Sequence, residues 1–292
     1  MTLKKRTKKR QLPVAHRAYL AVFFVIFLIY GATLLYPFIW ALINAGKTSI
    51  EYVENSFNLP EKYLFQNFID AFTNLKHNEI PFIQMLFNSL WMAVVKVTAH
   101  IIAASMAAYV VAKYRFPGKT FIFSLAIFIQ VIPVVGAEAA RYKFYATFGF
   151  LDNPALFWMV WASAFSFQFI VLYGTFQSIS WSYAEAAFMD GASNFQVFRS
   201  VMLPQAKGAI GSLMILDFIT AWSDYQTSLL YMKKYPTTAL GIFTFQTESR
   251  FMANSMPLMF AAIIINVVPI IILFICFQKT ILTNVTAGGL KG

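Results

Sequence analysis

The residues of this chain that could do chemistry are few, and most lie inside apolar runs. Lys96 and His100 stand four apart within an otherwise uncharged stretch, which puts both on one side of a helix. That spacing would suit a proton relay, a pair held against a partner subunit, or a pair facing a water pocket. Asp217 and Asp224 stand seven apart, near one helical face two turns from each other, in a segment made unusually polar by Ser223, Gln226, Thr227 and Ser228. Ionisable groups in such surroundings are costly and turn toward protein or water, so Asp217, Trp222, Asp224 and Gln226 are read either as lining a pathway or as holding a partner subunit. No catalytic constellation forms around them. His16, His77 and His100 are far apart, and H-E-x-x-H and G-x-S-x-G are both absent. The one cysteine, Cys276, permits neither an internal disulfide nor a Cys-cluster metal site. We expect a non-enzyme with no metal and no cofactor of its own. A G-x-x-x-x-G-K-[ST] phosphate loop is missing as well, so any nucleotide energy must enter from another polypeptide.

The elements that position these residues must be membrane helices. Of 292 residues, 59% are hydrophobic and 12% charged, with 32 Phe and a mean hydropathy of +0.62. Soluble globular domains run near one quarter charged, and disorder needs the opposite composition. Crossing roughly 30 Å of hydrocarbon takes about 20 apolar residues. Runs of that kind fall near 18–43, 82–112, 121–137, 155–179, 209–232 and 258–277, which predicts an all-α polytopic membrane protein with six transmembrane helices. The third is interrupted by Pro133 and Gly136 and followed closely by Glu138, Arg141 and Lys143, so a broken or partly re-entrant segment is expected there.

Orientation follows from where Lys and Arg fall. The leading tail, 1–17, carries Lys4, Lys5, Arg6, Lys8, Lys9, Arg10 and Arg17. On the same side come Lys113, Arg115 and Lys119, then Arg199 and Lys207, then Lys279 and, in the 281–292 tail, Lys291. The opposite side has Lys47, Lys62, Lys76, Arg141, Lys143, Lys233, Lys234 and Arg250, diluted by most of the acids. Both termini are therefore expected in the cytoplasm, with the transmembrane domain over 18–280. The net charge of +11 reads mainly as a topogenic anchor to anionic lipid, not as a nucleic-acid surface. A cleaved signal peptide fits poorly, because the first apolar run is about twice a typical h-region in length.

Two connections are long enough to have structure of their own. In the outward one, 44–81, Phe65, Phe68, Ile69 and Phe72 recur at helical spacing and predict a short amphipathic helix, either a lid or a docking face. The inward one, 180–207, reads SWSYAEAAFMDGASNFQVFRSVMLPQAK. Ser182 and Glu185 have the S-x-x-E spacing of a capping box, and Ala184, Ala186 and Ala187 favour a helix with a low face. Gly191 supplies a bend. A second helix is predicted over 192–202 with Phe195, Phe198 and Met202 on one stripe, ended by Leu203-Pro204. Two short helices at a glycine bend describe either a docking element or a pair resting on lipid.

Glu185-Ala186-Ala187, Gly191, Val201, Leu203 and Pro204 together resemble the EAA loop of binding-protein-dependent ABC importer permeases, E-A-A-x3-G-x9-[IV]-x-L-P, at every fixed position. Asp190-Gly191-Ala192 is similar to the D-G-A of the carbohydrate branch. Trp222-Ser223-Asp224-Tyr225 is similar to its W-N-D-F, Asn88-Ser89-Leu90 to the opening of its second helix, and the ending from Thr286 to Gly292 to T-A-G-A-[VL]-K-G. The likeness extends over the whole chain and matches the smaller permease subunit of maltose-type systems. Ile179-Ser180 departs from the family's I-P, and VIPVVGAEAARYKFY lacks a second proline.

The resemblance implies an ABC type I importer permease fold in a bacterial or archaeal cytoplasmic membrane. It implies a heterodimer with a second, related permease, two copies of a cytoplasmic ATPase that bind ATP-Mg, and an extracytoplasmic solute-binding protein. The 180–207 loop would be the coupling helix, with Glu185, Ala186, Ala187, Asp190, Gly191, Val201, Leu203 and Pro204 as its ATPase-coupling residues. The cargo would be a sugar or oligosaccharide. Alternatives are an ABC permease for a non-carbohydrate solute and an ion-coupled secondary transporter working through Lys96, Asp217 or Asp224.

Overall fold

The computed structural model describes residues 14–132, 136–249 and 256–289. The basic run from Lys4 to Arg10, Pro133, Arg250 and the closing Leu290-Lys291-Gly292, to which the sequence assigns roles in orientation, helix breaking and family likeness, lie outside them. The described residues are mostly helical: α1 (Val14–Ala45), α2 (Ser49–Glu54), α3 (Gln66–Asn74), a two-residue antiparallel pairing of β1 (Lys76–His77) with β2 (Ile80–Pro81), α4 (Phe82–Lys113), α5 (Lys119–Val131), α6 (Glu138–Thr147), α7 (Pro154–Trp161), α8 (Phe167–Ser178), α9 (Ser182–Met189), α10 (Asn194–Gln196), a π-helical turn (Val197–Met202), α11 (Leu203–Gln205), α12 (Lys207–Trp222), α13 (Gln226–Leu230), α14 (Thr238–Ser249) and α15 (Met256–Gly289).

Among the described residues three helices are long and apolar enough to cross a membrane, over Tyr19–Ala45, Phe82–Lys113 and Met256–Gln278. The other predicted spans are broken in identifiable places. The third helix, α5, stops at Val131, and Gly136, at φ +81°, leads into the separate α6. The fourth is divided into α7 and α8 by the stretch 162–166. The fifth unwinds between Trp222 and Gln226. Where a tail was expected after residue 280, α15 continues helical to Gly289.

α4 is the axis of the fold, packing against α8, α12, α7, α14 and α3. Its buried face contains Ala93, Ala104 and Ala108, small residues that let neighbouring helices approach closely. The largest core cluster joins this face to Phe169, Leu172 and Phe176 of α8, to Ala184 of α9, and to Val197, Phe198, Met202 and Ala206. A second cluster, around Leu75, Phe82, Met85, Phe260 and Ala261, holds the start of α4 to α3 and α15. α1 joins the second cluster through its C-terminal end, where Trp40, Ala41 and Ala45 pack, whereas its most apolar stretch is not buried at all by the rest of the chain. An apolar surface on every side suits a helix that meets lipid or another subunit.

The segment from 46 to 75 is a folded cap. Thr48 and Glu51 form a reciprocal capping box, and Glu51 also accepts from the Glu61 N–H at 3.1 Å. Lys47 is fully buried, its Nζ donating to the Asn55 carbonyl at 2.9 Å, and burial pushes its pKa down. The predicted amphipathic helix appears as α3, which begins directly after Phe65: Phe68 and Phe72 pack inward beside buried Ala71, whereas Phe65 and Ile69 stay exposed.

Candidate functional site

The 180–207 loop folds as two helical pieces around Gly191, but its first turn differs from the predicted one. Trp181 is already helical (φ −69°, ψ −21°), so Ser182 lies inside the turn and its side chain caps nothing. Ser180 takes that role, its Oγ accepting from Ser182 N at 3.3 Å and lying 2.8 Å from Ser182 Oγ. The Ser182–Glu185 capping box does not form, and Glu185 is left exposed with no side-chain partner among the described residues. A real capping box occurs at Ser193 and Gln196, with Ser193 N donating to Gln196 Oε1 at 2.7 Å. The signal that could have found it is the S-x-x-Q spacing, which the sequence carries at those positions.

The alanines of α9 divide between two faces. Ala184 is fully buried, and Ala187 packs with Trp181 and Phe188 against the core. Glu185, Ala186, Met189 and Asp190 face outward, and Met189 is 88% exposed. The exposed face is thus two carboxylates, a methyl group and a protruding thioether. Gly191 has φ +82°, and a Cβ added there would meet nothing within 4 Å. The requirement for glycine is conformational, not spatial.

Past the bend, the predicted stop at Leu203-Pro204 is not a stop. The chain widens into a π-helical turn over Val197–Met202, in which Leu203 N donates to the Phe198 carbonyl, and it continues helically through Pro204 toward α12. A proline removes one ladder hydrogen bond and crowds the preceding turn; the wide turn directly before it accommodates both effects. The same widening changes the stripe. Val197, Phe198 and Met202 are buried, while Phe195 is 60% exposed. Val201 is half-buried, as is Leu203.

The C-terminal end of α4 grips both halves of this loop. Lys113 Nζ donates to the Ile179 carbonyl at the entry, Tyr114 OH donates to Asn194 Oδ1 at 3.0 Å beyond the bend, and the Tyr114 ring meets Trp181 edge-on at 5.9 Å. A cavity of about 340 Å³ lies between α4 and the second half of the loop, lined by Met106, Tyr109, Tyr114, Asn194, Phe195 and Phe198.

Farther toward the N-terminus of α4 the charges that stand in apolar runs pair with one another. Lys96 Nζ lies 2.7 Å from Asp224 Oδ2, and His100 Nδ1 lies 2.8 Å from Asp217 Oδ2. The second contact is close enough for an ion pair when the ring is protonated, though it is not aligned as a hydrogen bond. Asp217 also accepts from Gln168 Nε2 on α8. Asp224 does more than pair with its lysine. Its Oδ1 accepts from Thr227 N at 3.0 Å and its Oδ2 from Thr227 Oγ1 at 2.6 Å, which closes the first turn of α13 after the break. The sequence points to both basic and both acidic residues but not to the fact that each pair answers the other.

Trp222 Nε1 donates to the carbonyl and to Oδ1 of Asn266 on α15, each at 3.0 Å. Asn266 Oδ1 also accepts from Thr238, whose hydroxyl lies 3.0 Å from Ser89 Oγ, and Asn88 Nδ2 donates to the Pro236 carbonyl at 3.0 Å. Of the four residues read as pathway or partner contacts, Asp217, Trp222 and Asp224 are therefore engaged within the chain, and Gln226 is exposed. No group of His, Cys, Asp and Glu among the described residues could hold a metal ion. Among the described residues the arrangement contains two charge pairs and interrupted helices.

Residues 100–286 match the family model for the binding-protein-dependent transport system inner membrane component. The chain is 26% identical over 275 residues to the diacetylchitobiose uptake system permease protein NgcG of Streptomyces coelicolor, covering 93% of this chain and 89% of that protein. It is 29% identical to the trehalose transport system permease protein SugB of Mycobacterium tuberculosis, covering 91% and 95%. These relatives are transport permeases, not enzymes. Among solved structures, a chain of a bacterial ABC transporter involved in import of the acidic polysaccharide alginate superposes with a TM-score of 0.75 at 23% identity, covering 93% of this chain and 99% of that one. At that identity the likeness concerns the fold.

Proposed function

Since the chain belongs to the family of binding-protein-dependent transport system inner membrane components, we propose that it is one permease subunit of an ATP-driven importer for a sugar or oligosaccharide. The observation that carries this reading is the exposed face of α9 beside the Gly191 bend, held to the membrane helices by the C-terminal end of α4. Sugar cargo is supported by relatives whose names specify diacetylchitobiose and trehalose and which align over about nine-tenths of the chain.

In this account six segments cross the membrane, three as long helices and three as broken ones, with both termini in the cytoplasm. A second, related permease completes the pathway, and two ATPase subunits bind ATP-Mg. An extracytoplasmic binding protein delivers the cargo. Glu185, Ala186, Asp190 and Met189 enter a groove on the ATPase, where a guanidinium can hold the Glu185 carboxylate in two-point fashion. Ala187, Gly191, Val201, Leu203 and Pro204 act from behind, shaping the loop and fixing it to the bundle. When the nucleotide subunits close, the loop moves with its groove and carries α8, α12 and α4 with it. Such a shift between two packed arrangements changes which side of the membrane the site faces.

The experiment is purification of the tagged chain with its neighbours from the membrane, reconstitution in vesicles, and measurement of labelled sugar uptake. Uptake that requires internal ATP and loaded binding protein is expected. Uptake that survives ATP depletion and collapses with an uncoupler would replace this reading by an ion-coupled one.

A further inference from the structure

At the end of the bundle opposite the 180–207 loop, α6 and the segment after α13 are drawn together although the residues that join them lie 93 apart in the chain. The Tyr231 hydroxyl donates to Glu138, and its ring stacks 6.4 Å from Tyr142 and meets Tyr145 at 5.0 Å. Asp152 joins in, its N–H donating to the Tyr231 carbonyl at 2.9 Å and its Oδ1 accepting from Lys234 N at 2.8 Å. On this platform Arg141, Lys143, Lys233 and Lys234 are all exposed.

The nearby acids neutralise Arg141 but not the three lysines. Glu138 is committed to Arg141, at 2.7 Å, and to Tyr231, and Asp152 to a backbone N–H. No carboxylate pairs with Lys143, Lys233 or Lys234 among the described residues, and Lys233 Nζ lies 5.9 Å over the Tyr142 ring. Exposed Tyr142 and Phe144 stand between these cations. By the orientation proposed above the cluster is extracytoplasmic, the side on which Lys and Arg are ordinarily sparse. Three lysines without a carboxylate partner among the described residues, on one small platform beside the Arg141–Glu138 pair, point to an external anionic partner.

We propose that this platform is the docking surface for an acidic face of the extracytoplasmic solute-binding protein. Anionic lipid is the weaker match, because it is concentrated in the opposite leaflet. A small acidic sugar would favour a concave site, whereas these groups lie along an exposed helix and a turn. Exposed rings among cations suit a protein interface, where aromatic residues and Arg are enriched. The inference rests on the importer reading.

The test uses the complete complex in vesicles of zwitterionic lipid, with loaded binding protein titrated at low and high ionic strength and ATP hydrolysis as the readout. The triple variant Lys143→Glu, Lys233→Glu, Lys234→Glu is expected to need roughly tenfold more binding protein for half-maximal stimulation, with the same plateau. The Gln triple variant should fall between it and the parent, and added salt should weaken the parent more than the Gln variant. The proposal is overturned if the half-maximal concentration stays within about twofold in both variants and in salt. It is equally overturned if the effect follows anionic lipid content or the charge of the cargo. If the unaltered complex shows no stimulation by binding protein, the importer reading itself fails, which is a different result from an unresponsive variant.

Discussion

Lys96 and Asp224, 128 residues apart in the chain, meet at 2.7 Å where α12 gives way to α13. One turn along α4, His100 meets Asp217. Rising numbers on α4 answer falling numbers on α12, so the two pairs fix the register of an antiparallel helix pair. Asp224 also caps α13, so the same carboxylate holds the helix break and ties it to α4. The seam is a positioning device between the loop end of the molecule and the other end.

Removing one partner should therefore cost more than removing both. Lys96→Met leaves Asp224 without its cation and is expected to destabilise by about 2–3 kcal/mol, below the loss typical of a fully buried pair because both side chains are partly exposed. Lys96→Met with Asp224→Asn should recover part of that, since Asn retains the cap on α13. Thermal unfolding of the detergent-purified complex checks the order. Equal losses for the single and double variants would contradict the pairing.

The seam also shows what was legible in the sequence and what was not. Lys96, His100, Asp217 and Asp224 stand out at once as charges among apolar residues. Their pairing depends on how α4 lies against α12, which no local spacing encodes. The Glu185 motif and the Gly191 bend were readable because they depend on neighbours in the chain, and φ at Gly191 is indeed positive. Ser182 misled because Trp181 enters the helix first. Pro204 misled because a π-helical turn can absorb a proline that would stop an ordinary helix. The breaks in the third and fourth spans were only partly visible: Pro133 and Gly136 announced one, and the stretch 162–166, which contains neither Pro nor Gly, concealed the other.

Gly46 is a second position that favours glycine, here for lack of space and not, as at Gly191, for its backbone conformation. A Cβ there would lie 2.2 Å from ring carbons of Tyr63, whose hydroxyl is anchored to the Leu42 carbonyl at 2.8 Å. Gly46→Ala should cost about 1–3 kcal/mol through this overpacking. Gly241→Ala should cost less, because the obstruction is the flexible end of Met85. Melting temperatures of the two variants test the ranking, which fails if Gly241→Ala is the worse.

Acid should loosen the 46–75 cap. Hydrogen bonds from the Thr48 and Glu61 N–H groups hold the Glu51 pKa below its ordinary value. A depressed carboxylate contributes stability above its unfolded pKa, and that contribution is lost as pH falls through the folded one. Hydrogen exchange of amides 48–61 should therefore rise as pH drops below about 4, after correction for intrinsic rates. In Glu51→Gln the amides should exchange faster already at neutral pH and lose that dependence. An unchanged profile in the variant would remove Glu51 as the cause.

The central claim is that the exposed face of α9 transmits ATPase closure to the membrane helices. It is tested most directly by measuring ATP hydrolysis and sugar uptake together in vesicles containing Glu185→Lys or Gly191→Pro. The account predicts that either variant assembles poorly or hydrolyses ATP without importing sugar, with uptake reduced at least roughly tenfold while hydrolysis per assembled complex falls much less. Normal uptake together with normal stimulation by loaded binding protein in both variants would contradict it.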